Sequence, residues 1–179
     1  MKEYLPTIYV SILLIILAGI AFFVFRQIIR VRRIEGRFSR LQKKLQKEQG
    51  TAQEYYELGS LYLDKKLFVQ AIQLFQKGLK KAEKEEIEPE NIALIYNALG
   101  YSYYSQEQLD LAIRNYKEAL KNYPDYVIAL NNLGNAYEKK KLPSAALEAY
   151  QETLKYDPNN SVAKKRTDLL QKRLGTSPS

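Results

Sequence analysis

The sequence predicts an all-α protein: one N-terminal transmembrane helix, then a superhelix of three helical hairpins that ends in a capping helix. Two observations support this fold class. No charged residue occurs from Tyr4 to Phe25, a stretch long enough to cross a bilayer as a helix. Farther along, between residues 51 and 160, one pattern of small and aromatic residues occurs three times.

The composition argues against catalysis. The 179 residues include no cysteine and no histidine. Disulfides and thiolate ligands are therefore excluded, and the commonest general base and metal ligand is missing. We predict that the protein is not an enzyme, and we expect no catalytic residue, no metal and no cofactor.

Residues 1–25 are predicted to form a transmembrane anchor. The alternative is a cleaved signal peptide, which has a basic start, a shorter apolar run and small residues at the cleavage site. Here the start is barely basic, and the run ends in bulky Phe22, Phe23 and Phe25 directly before Arg26. We therefore expect this segment to be retained as a single-pass anchor.

The excess positive charge lies directly after the anchor. The formal net charge is +8, and the stretch from Arg26 to Lys47 holds nine basic residues and one acid, Glu35. From Glu48 onward there are 18 basic and 18 acidic residues. Because basic flanks stay on the cytoplasmic side of a span, we expect the C-terminal domain on the cytoplasmic or stromal face. The residues expected at the membrane surface are Arg26, Arg30, Arg32, Arg33, Arg37 and Arg40.

Residues 26–50 are predicted to form a basic amphipathic connector helix. Apolar residues recur along it at spacings of three and four, which places them on one face: Val31, Ile34, Phe38, Leu41 and Leu45. This face either lies on anionic headgroups or packs on the first repeat, and a short coiled-coil dimer is a further alternative. Nucleic-acid binding is disfavoured because the C-terminal domain is neutral.

The three repeats align on a Leu-Gly pair, at Leu58-Gly59, Leu99-Gly100 and Leu133-Gly134. A tyrosine, a small residue, an aromatic residue and a second small or short residue follow each pair at fixed spacing. They are Tyr62, Ala71, Phe75 and Gly78, then Tyr103, Ala112, Tyr116 and Ala119, then Tyr137, Ala146, Tyr150 and Thr153. The second and third repeats are 34 residues apart, the period of the tetratricopeptide repeat (TPR).

This pattern has a packing explanation. Small residues mark the places where the two helices of a hairpin approach closely, and the aromatic rings fill the space between adjacent hairpins. A single hairpin cannot bury its own face, so we expect three stacked units and a cap. The predicted units are about 52–85, 93–126 and 127–160, followed by a capping helix over 161–175.

The first repeat contains an insertion. The first two Leu-Gly pairs are 41 residues apart, so seven residues are extra, near Lys80 to Asn91. We predict that the second helix of repeat one continues to about Ile87 and that Pro89 starts the next helix. The charged extension is interpreted as a solvated face, with contact to a partner as the alternative.

The first helix of each unit is expected to face a concave groove that binds a segment of another protein. The predicted groove residues are Gln53, Tyr56, Ser60 and Leu63 in repeat one, Leu94, Asn97, Tyr101 and Tyr104 in repeat two, and Ile128, Asn131, Asn135 and Glu138 in repeat three. Tyrosine rings offer rigid contact area, and amides can bond an extended backbone. The alternative for Tyr101 and Tyr104 is that they only cover neighbouring repeats.

One known class of TPR ligand is not expected. TPR domains that hold chaperone C-terminal carboxylates use a clamp of Lys, Arg and Asn. The equivalent positions are Tyr56, Ser60, Ala98, Ile128 and Asn132, and none of them is a cation. The sequence therefore argues against a chaperone-tail adaptor.

An uncleaved anchor, a basic connector and three TPR units together resemble the thylakoid-anchored TPR family of cyanobacteria and algal plastids. That family is implicated in photosystem I assembly or stability. The resemblance implies a thylakoid location, a cytoplasmic or stromal TPR domain, and photosystem I subunits or assembly factors as partners. From the sequence we expect neither a nucleic acid nor a small-molecule substrate as a partner. The alternative is a general bacterial membrane-anchored TPR adaptor for envelope or division complexes.

Overall fold

The computed structural model describes the backbone of residues 5–175 and the side chains of residues 9–175. Within this range the chain forms eight α-helices and no strand, which confirms the predicted all-α fold. The helices are α1 Leu5–Lys47, α2 Ala52–Asp64, α3 Phe68–Glu85, α4 Pro89–Ser105, α5 Leu109–Asn122, α6 Val127–Lys139, α7 Pro143–Tyr156 and α8 Ser161–Leu174. The chain divides into two units, one up to Glu48 and one from Gln49 onward.

The first unit contains α1, an unbroken helix of 43 residues. At 1.5 Å per residue its length is about 65 Å, twice the thickness of a bilayer's hydrocarbon core. Within the described residues, α1 is the one helix that is long and apolar enough to cross a membrane. The anchor and the connector predicted from the sequence are thus parts of the same helix, and the first four residues of the predicted anchor lie outside the described residues.

The second unit is a stack of hairpins. Helices α2 and α3, α4 and α5, and α6 and α7 form the three hairpins, and α8 packs on α7. The first helices of successive hairpins also contact one another, α2 with α4 and α4 with α6. Within the described part of the chain, no contact of comparable extent joins α3 to α5 or α5 to α7. Because the first helices are closer together, they line the concave side of the stack.

Each hairpin is closed by an aromatic ring that lies directly on a glycine. A Cβ added to Gly59 would be 2.6 Å from Phe75, and a Cβ added to Gly100 or Gly134 would be 2.7 Å from Tyr116 or Tyr150. Real Cβ atoms do not approach this closely, so only glycine allows the ring to sit there. The rings also reach the next hairpin, since Phe75 clusters with Ile95, Ala98 and Leu99 of the second repeat. Both parts of the packing explanation are confirmed.

The three hairpin turns share one backbone conformation. Lys66, Glu107 and Lys141 have φ of 59°, 61° and 61°, in the left-handed region. In the first turn, the N–H of Lys66 donates to the Leu63 carbonyl at 2.8 Å, and the N–H of Leu67 donates to the Tyr62 carbonyl at 2.9 Å. This pair of bonds is the Schellman motif, which satisfies the last carbonyls of a helix. The same bonds recur in the other two turns.

The insertion in repeat one lengthens α3 and supports the start of α2. Helix α4 begins at Pro89, as predicted, but α3 ends at Glu85 rather than near Ile87 because Glu86 is left-handed, with φ of 48°. The Oε2 atom of Glu85 accepts a hydrogen bond from the N–H of Ala52 at 3.0 Å. An N–H in the first turn of a helix has no partner within that helix. Most of the extension is exposed, as expected for a solvated face, although Ala82 is buried and Ile87 packs on the cluster around Phe75. Its Glu85 carboxylate also caps the first helix of the stack.

Replacing Gly100 by Ala should destabilise the repeat domain by about 2 kcal/mol. The new methyl group would meet the Tyr116 ring at 2.7 Å and the Ala112 carbonyl at 3.2 Å, and overpacking of this kind costs about 1–3 kcal/mol. Urea unfolding of the full chain in detergent, followed by circular dichroism, measures the loss. The matched control is Gly78→Ala, where the nearest atoms are at 3.4 Å and the helix propensity of Ala should leave stability unchanged or raised. Equal losses in the two variants would contradict the packing explanation.

Replacing Glu85 by Ala should lower the free energy of unfolding by about 1 kcal/mol, the usual effect of removing a side-chain cap. The same urea titration measures it. Glu83→Ala is the control, because Glu83 lies on the same helix, is exposed and carries the same charge. If both variants unfold at the same urea concentration, Glu85 does not act as a cap.

Candidate protein-binding groove

The twelve side chains predicted to line the groove lie on α2, α4 and α6, the helices of the concave side. They recur at the same four positions of each helix, with spacings of three and four that keep them on one face. None of them is fully buried. Gln53, Tyr101 and Ile128 are exposed, and the others are half-buried: Tyr56, Ser60, Leu63, Leu94, Asn97, Tyr104, Asn131, Asn135 and Glu138.

A chain of amides connects the second and third repeats. The Nδ2 of Asn132 donates to the Oδ1 of Asn97 at 2.9 Å, and the Nδ2 of Asn97 donates to the Tyr126 hydroxyl at 3.4 Å. Burial is the main cause that raises the pKa of Tyr126 above its ordinary value, so this hydroxyl stays neutral. The Asn97 amide therefore links α4 to α6 through Asn132 and to Tyr126, the residue that precedes α6.

Asn131 has an unpaired acceptor. Its Oδ1 atom is buried and accepts no hydrogen bond from the described residues. A buried acceptor without a donor costs about 1–3 kcal/mol. The Asn131 side chain as a whole is half-buried, whereas this oxygen faces the interior of the protein.

The hydroxyl of Tyr150 links the core to the groove. The Tyr150 ring is fully buried, yet its oxygen lies 2.7 Å from Asn135 Oδ1 and 2.8 Å from Glu138 Oε1. One phenol proton can serve only one acceptor, so both contacts are satisfied when the Asn135 amide turns its NH2 group toward the phenol oxygen. Burial first, and then the hydrogen bond to Glu138, raise the pKa of Tyr150 above its ordinary value. The network holds Asn135 and Glu138 in place.

Glu138 is also paired with the capping helix. The Nε of Arg166 on α8 is 3.5 Å from Glu138 Oε1. The single acid among the predicted groove residues is therefore balanced by a cation. Sequence reasoning placed Tyr150 in the core and included Arg166 only in the predicted capping helix, and it missed the contacts of both side chains with Glu138.

The two predicted tyrosines of α4 differ in their surroundings. Tyr101 is 45% exposed. Tyr104 packs against the cluster around Ala112 and Tyr116, and the Lys139 ammonium lies 5.0 Å from the centre of its ring. Tyr101 is therefore free to contact a ligand over much of its ring, whereas Tyr104 contributes to packing between repeats.

The described residues contain no group of three or more His, Cys, Asp or Glu that could hold a metal ion. On the predicted groove face, exposed or half-buried aromatic and aliphatic side chains alternate with amides.

Comparison with known proteins identifies the repeats. Two family models, both described as tetratricopeptide repeat, match residues 50–125 and 97–161. A ycf37 protein of Cyanophora paradoxa is 36% identical over 171 residues, which cover 96% of this chain and 98% of that protein. The chain belongs to the Ycf37/PYG7 family of TPR proteins. This confirms the resemblance found in the sequence.

Two other relatives differ from each other in length. A ycf37 protein of Guillardia theta is 36% identical, with 97% of both chains covered. The tetratricopeptide repeat domain-containing protein PYG7, chloroplastic, of Arabidopsis thaliana is 38% identical over 93% of this chain and 54% of that protein. The Arabidopsis protein is thus the longer of the two.

Solved structures show the same fold at low sequence identity. MamA has a TM-score of 0.72 at 22% identity, with 82% of both chains covered. The first TPR domain of Spaghetti (RPAP3), bound to an HSP90 peptide, has a TM-score of 0.62 at 20% identity and covers 69% of this chain and 93% of that one. These likenesses support the TPR superhelix and no further assignment.

The stability of the domain should fall above about pH 10. Folding raises the pKa of Tyr150 and Tyr116, mainly by burial, so the unfolded chain releases these protons at a lower pH than the folded chain. The two protonated tyrosines contribute their full stabilisation below the ordinary tyrosine pKa of about 10. This contribution to the free energy of unfolding falls as the pH rises further, by about 1.4 kcal/mol per pH unit for each tyrosine. Tyr150→Phe and Tyr116→Phe should each flatten this loss in urea titrations between pH 8 and 11.5. Parallel curves for wild type and variants would contradict it.

Proposed function

We propose that the protein is a membrane-tethered scaffold that holds an extended segment of another protein in the groove of α2, α4 and α6. The observation that carries this proposal is the groove face itself. Exposed Tyr101 and Ile128 supply contact area, and the half-buried amide side chain of Asn131 follows Ile128 by one turn of α6. Aromatic contact area and backbone-directed amides are the means by which grooves bind peptides.

The proposed tether is the apolar part of α1, in a thylakoid membrane, with the repeats on the cytoplasmic or stromal side. A chloroplastic relative and the basic residues after the span support this location. All six predicted membrane-surface arginines are exposed on α1. Because α1 is unbroken, Arg40 lies about 21 Å farther along the helix axis than Arg26. Headgroups form a layer of about 5–8 Å, so we propose direct lipid contact for Arg26 and Arg30 and longer-range attraction for the others.

We further propose that the bound proteins are photosystem I subunits or assembly factors, and that the scaffold assists assembly or stability of photosystem I. This assignment rests on the family resemblance and on similarity over nearly the whole chain to ycf37 proteins. Tethering a groove to the membrane raises its effective concentration toward clients in the same membrane without any new contact. Such an arrangement suits a protein that acts while membrane complexes are being built.

Crosslinking of the full chain in its native membrane, followed by affinity purification and mass spectrometry, tests the proposal. Photosystem I subunits or their assembly factors should be recovered with the wild type. Their yield should fall at least about tenfold in Tyr101→Ala/Ile128→Ala, since each central contact residue contributes about 1–2 kcal/mol to binding. Both side chains are exposed, so the variant should keep its fold.

The matched control is Leu111→Ala, which removes an exposed aliphatic side chain from α5, a helix of the convex side. It should leave the yield unchanged. Unchanged recovery in the groove variant would reject the groove, and recovery of envelope or division proteins instead would reject the photosystem I assignment while keeping the scaffold.

A further inference from the structure

Helix α8 repeats the burial pattern of the first helices of the hairpins. Ala163 is fully buried, as is Ala129 at the equivalent position of α6, and Ile95 at the same position of α4 is buried too. Thr167 and Leu170 are buried where α6 has Leu133 and Ala136, again 34 residues earlier. Helix α8 also packs on α7 as α6 packs on α5. It therefore has the position of the first helix of a fourth unit rather than that of an unrelated cap.

This register extends the groove face onto α8. Val162 and Leu169 are 34 residues after Ile128 and Asn135, and they are 48% and 50% exposed. Ile128 itself is 57% exposed. A capping helix that served only to close the core would place polar side chains at these two positions. Exposed aliphatic side chains in line with an aliphatic groove residue indicate a contact surface instead.

The same face of α8 carries cations. Lys165 and Arg166 are the counterparts of Asn131 and Asn132. Arg166 meets Glu138 through Nε, which leaves the outer edge of its guanidinium for a second acceptor. Lys165 is exposed and forms no ion pair within residues 5–175. Helix α8 holds five basic residues and one acid, whereas the domain from Glu48 onward is neutral in total.

We infer that α8 forms the end of the groove and that it binds the acidic part of the client segment. The occupant is an extended protein segment in which Asp or Glu side chains lie next to an aliphatic or aromatic residue. Carboxylates would pair with Lys165 and Arg166, and the apolar side chain would rest on Val162 and Leu169. This inference builds on the proposed function, because it names the chemistry of the segment that the same groove holds.

Charge complementarity decides the class of ligand. Arginine binds carboxylates through two parallel N–H bonds, and the guanidinium edge of Arg166 that does not face Glu138 has this geometry. A lipid surface would need cations spread over a broad face, and a nucleic acid would need several phosphate contacts along a basic stripe. Here two adjacent cations stand beside two aliphatic side chains, which fits one short acidic and apolar protein segment.

A peptide selection with the full chain in detergent micelles tests the inference. The probe is a phage library of random decapeptides. Peptides selected by the wild type should be enriched in Asp and Glu by at least about threefold over the input library. The Lys165→Ala/Arg166→Ala variant should bind them about tenfold more weakly, as expected for the loss of charge-assisted hydrogen bonds.

Three further single variants separate a binding role from a structural one. Arg166→Ala removes the ion pair of Glu138 and thereby weakens the fold as well as the cationic patch. Lys165 forms no described ion pair, so variants at this position test binding alone. Lys165→Glu should reduce binding by at least as much as Lys165→Ala. Lys164→Ala is the matched control: it removes the same charge from the same helix, about 140° around the axis from Leu169. It should bind the selected peptides like the wild type.

Three results would overturn the inference. Selected peptides without acidic enrichment would show that the groove prefers another chemistry. Equal loss in Lys164→Ala and Lys165→Glu would show a general charge effect. If no peptide is retained above the background of Tyr101→Ala/Ile128→Ala, the groove itself does not bind peptides, and the proposed function fails together with the inference.

Discussion

The contact between a glycine of one helix and an aromatic ring of the next is the constraint on which the repeat domain depends. It fixes how closely the two helices of each hairpin approach, because any side chain at Gly59, Gly100 or Gly134 would collide with the ring. The ring then reaches the following hairpin, so the same contact sets the angle between units. Since this angle brings the first helices together, the concave groove is a consequence of the three glycines.

The groove and the core are therefore not independent. Tyr150 fills the core of the third hairpin with its ring and holds Asn135 and Glu138 with its hydroxyl. In the second hairpin the equivalent residue is Tyr116, and in the first it is Phe75, which has no hydroxyl. The polar, rigid end of the groove is thus the end near α8, and the end near α2 is held by apolar packing of Tyr56 on Phe75.

Sequence spacing was sufficient for the hairpins, for the all-α fold and for the helix start at Pro89, because each depends on residue type at a fixed period. It did not reveal the cap from Glu85 to Ala52 or the link from Tyr150 to Glu138, since those depend on where side-chain ends meet in space. The position of α8 could in part be predicted from the sequence. Its residues match those of α6 at an offset of 34, but Asp168 stands where the glycine of the Leu-Gly pair is expected, so the match was not recognised.

Asp168 also bears on the length of the protein segment that the groove can hold. No ring can rest on Asp168 as Phe75 rests on Gly59, so α8 lacks the contact by which the three hairpins close. With α8 as its inferred end, the concave side formed by the described residues consists of four helices, α2, α4, α6 and α8. Neighbouring helices are about 10 Å apart, so the groove measures about 30 Å, the span of about nine extended residues.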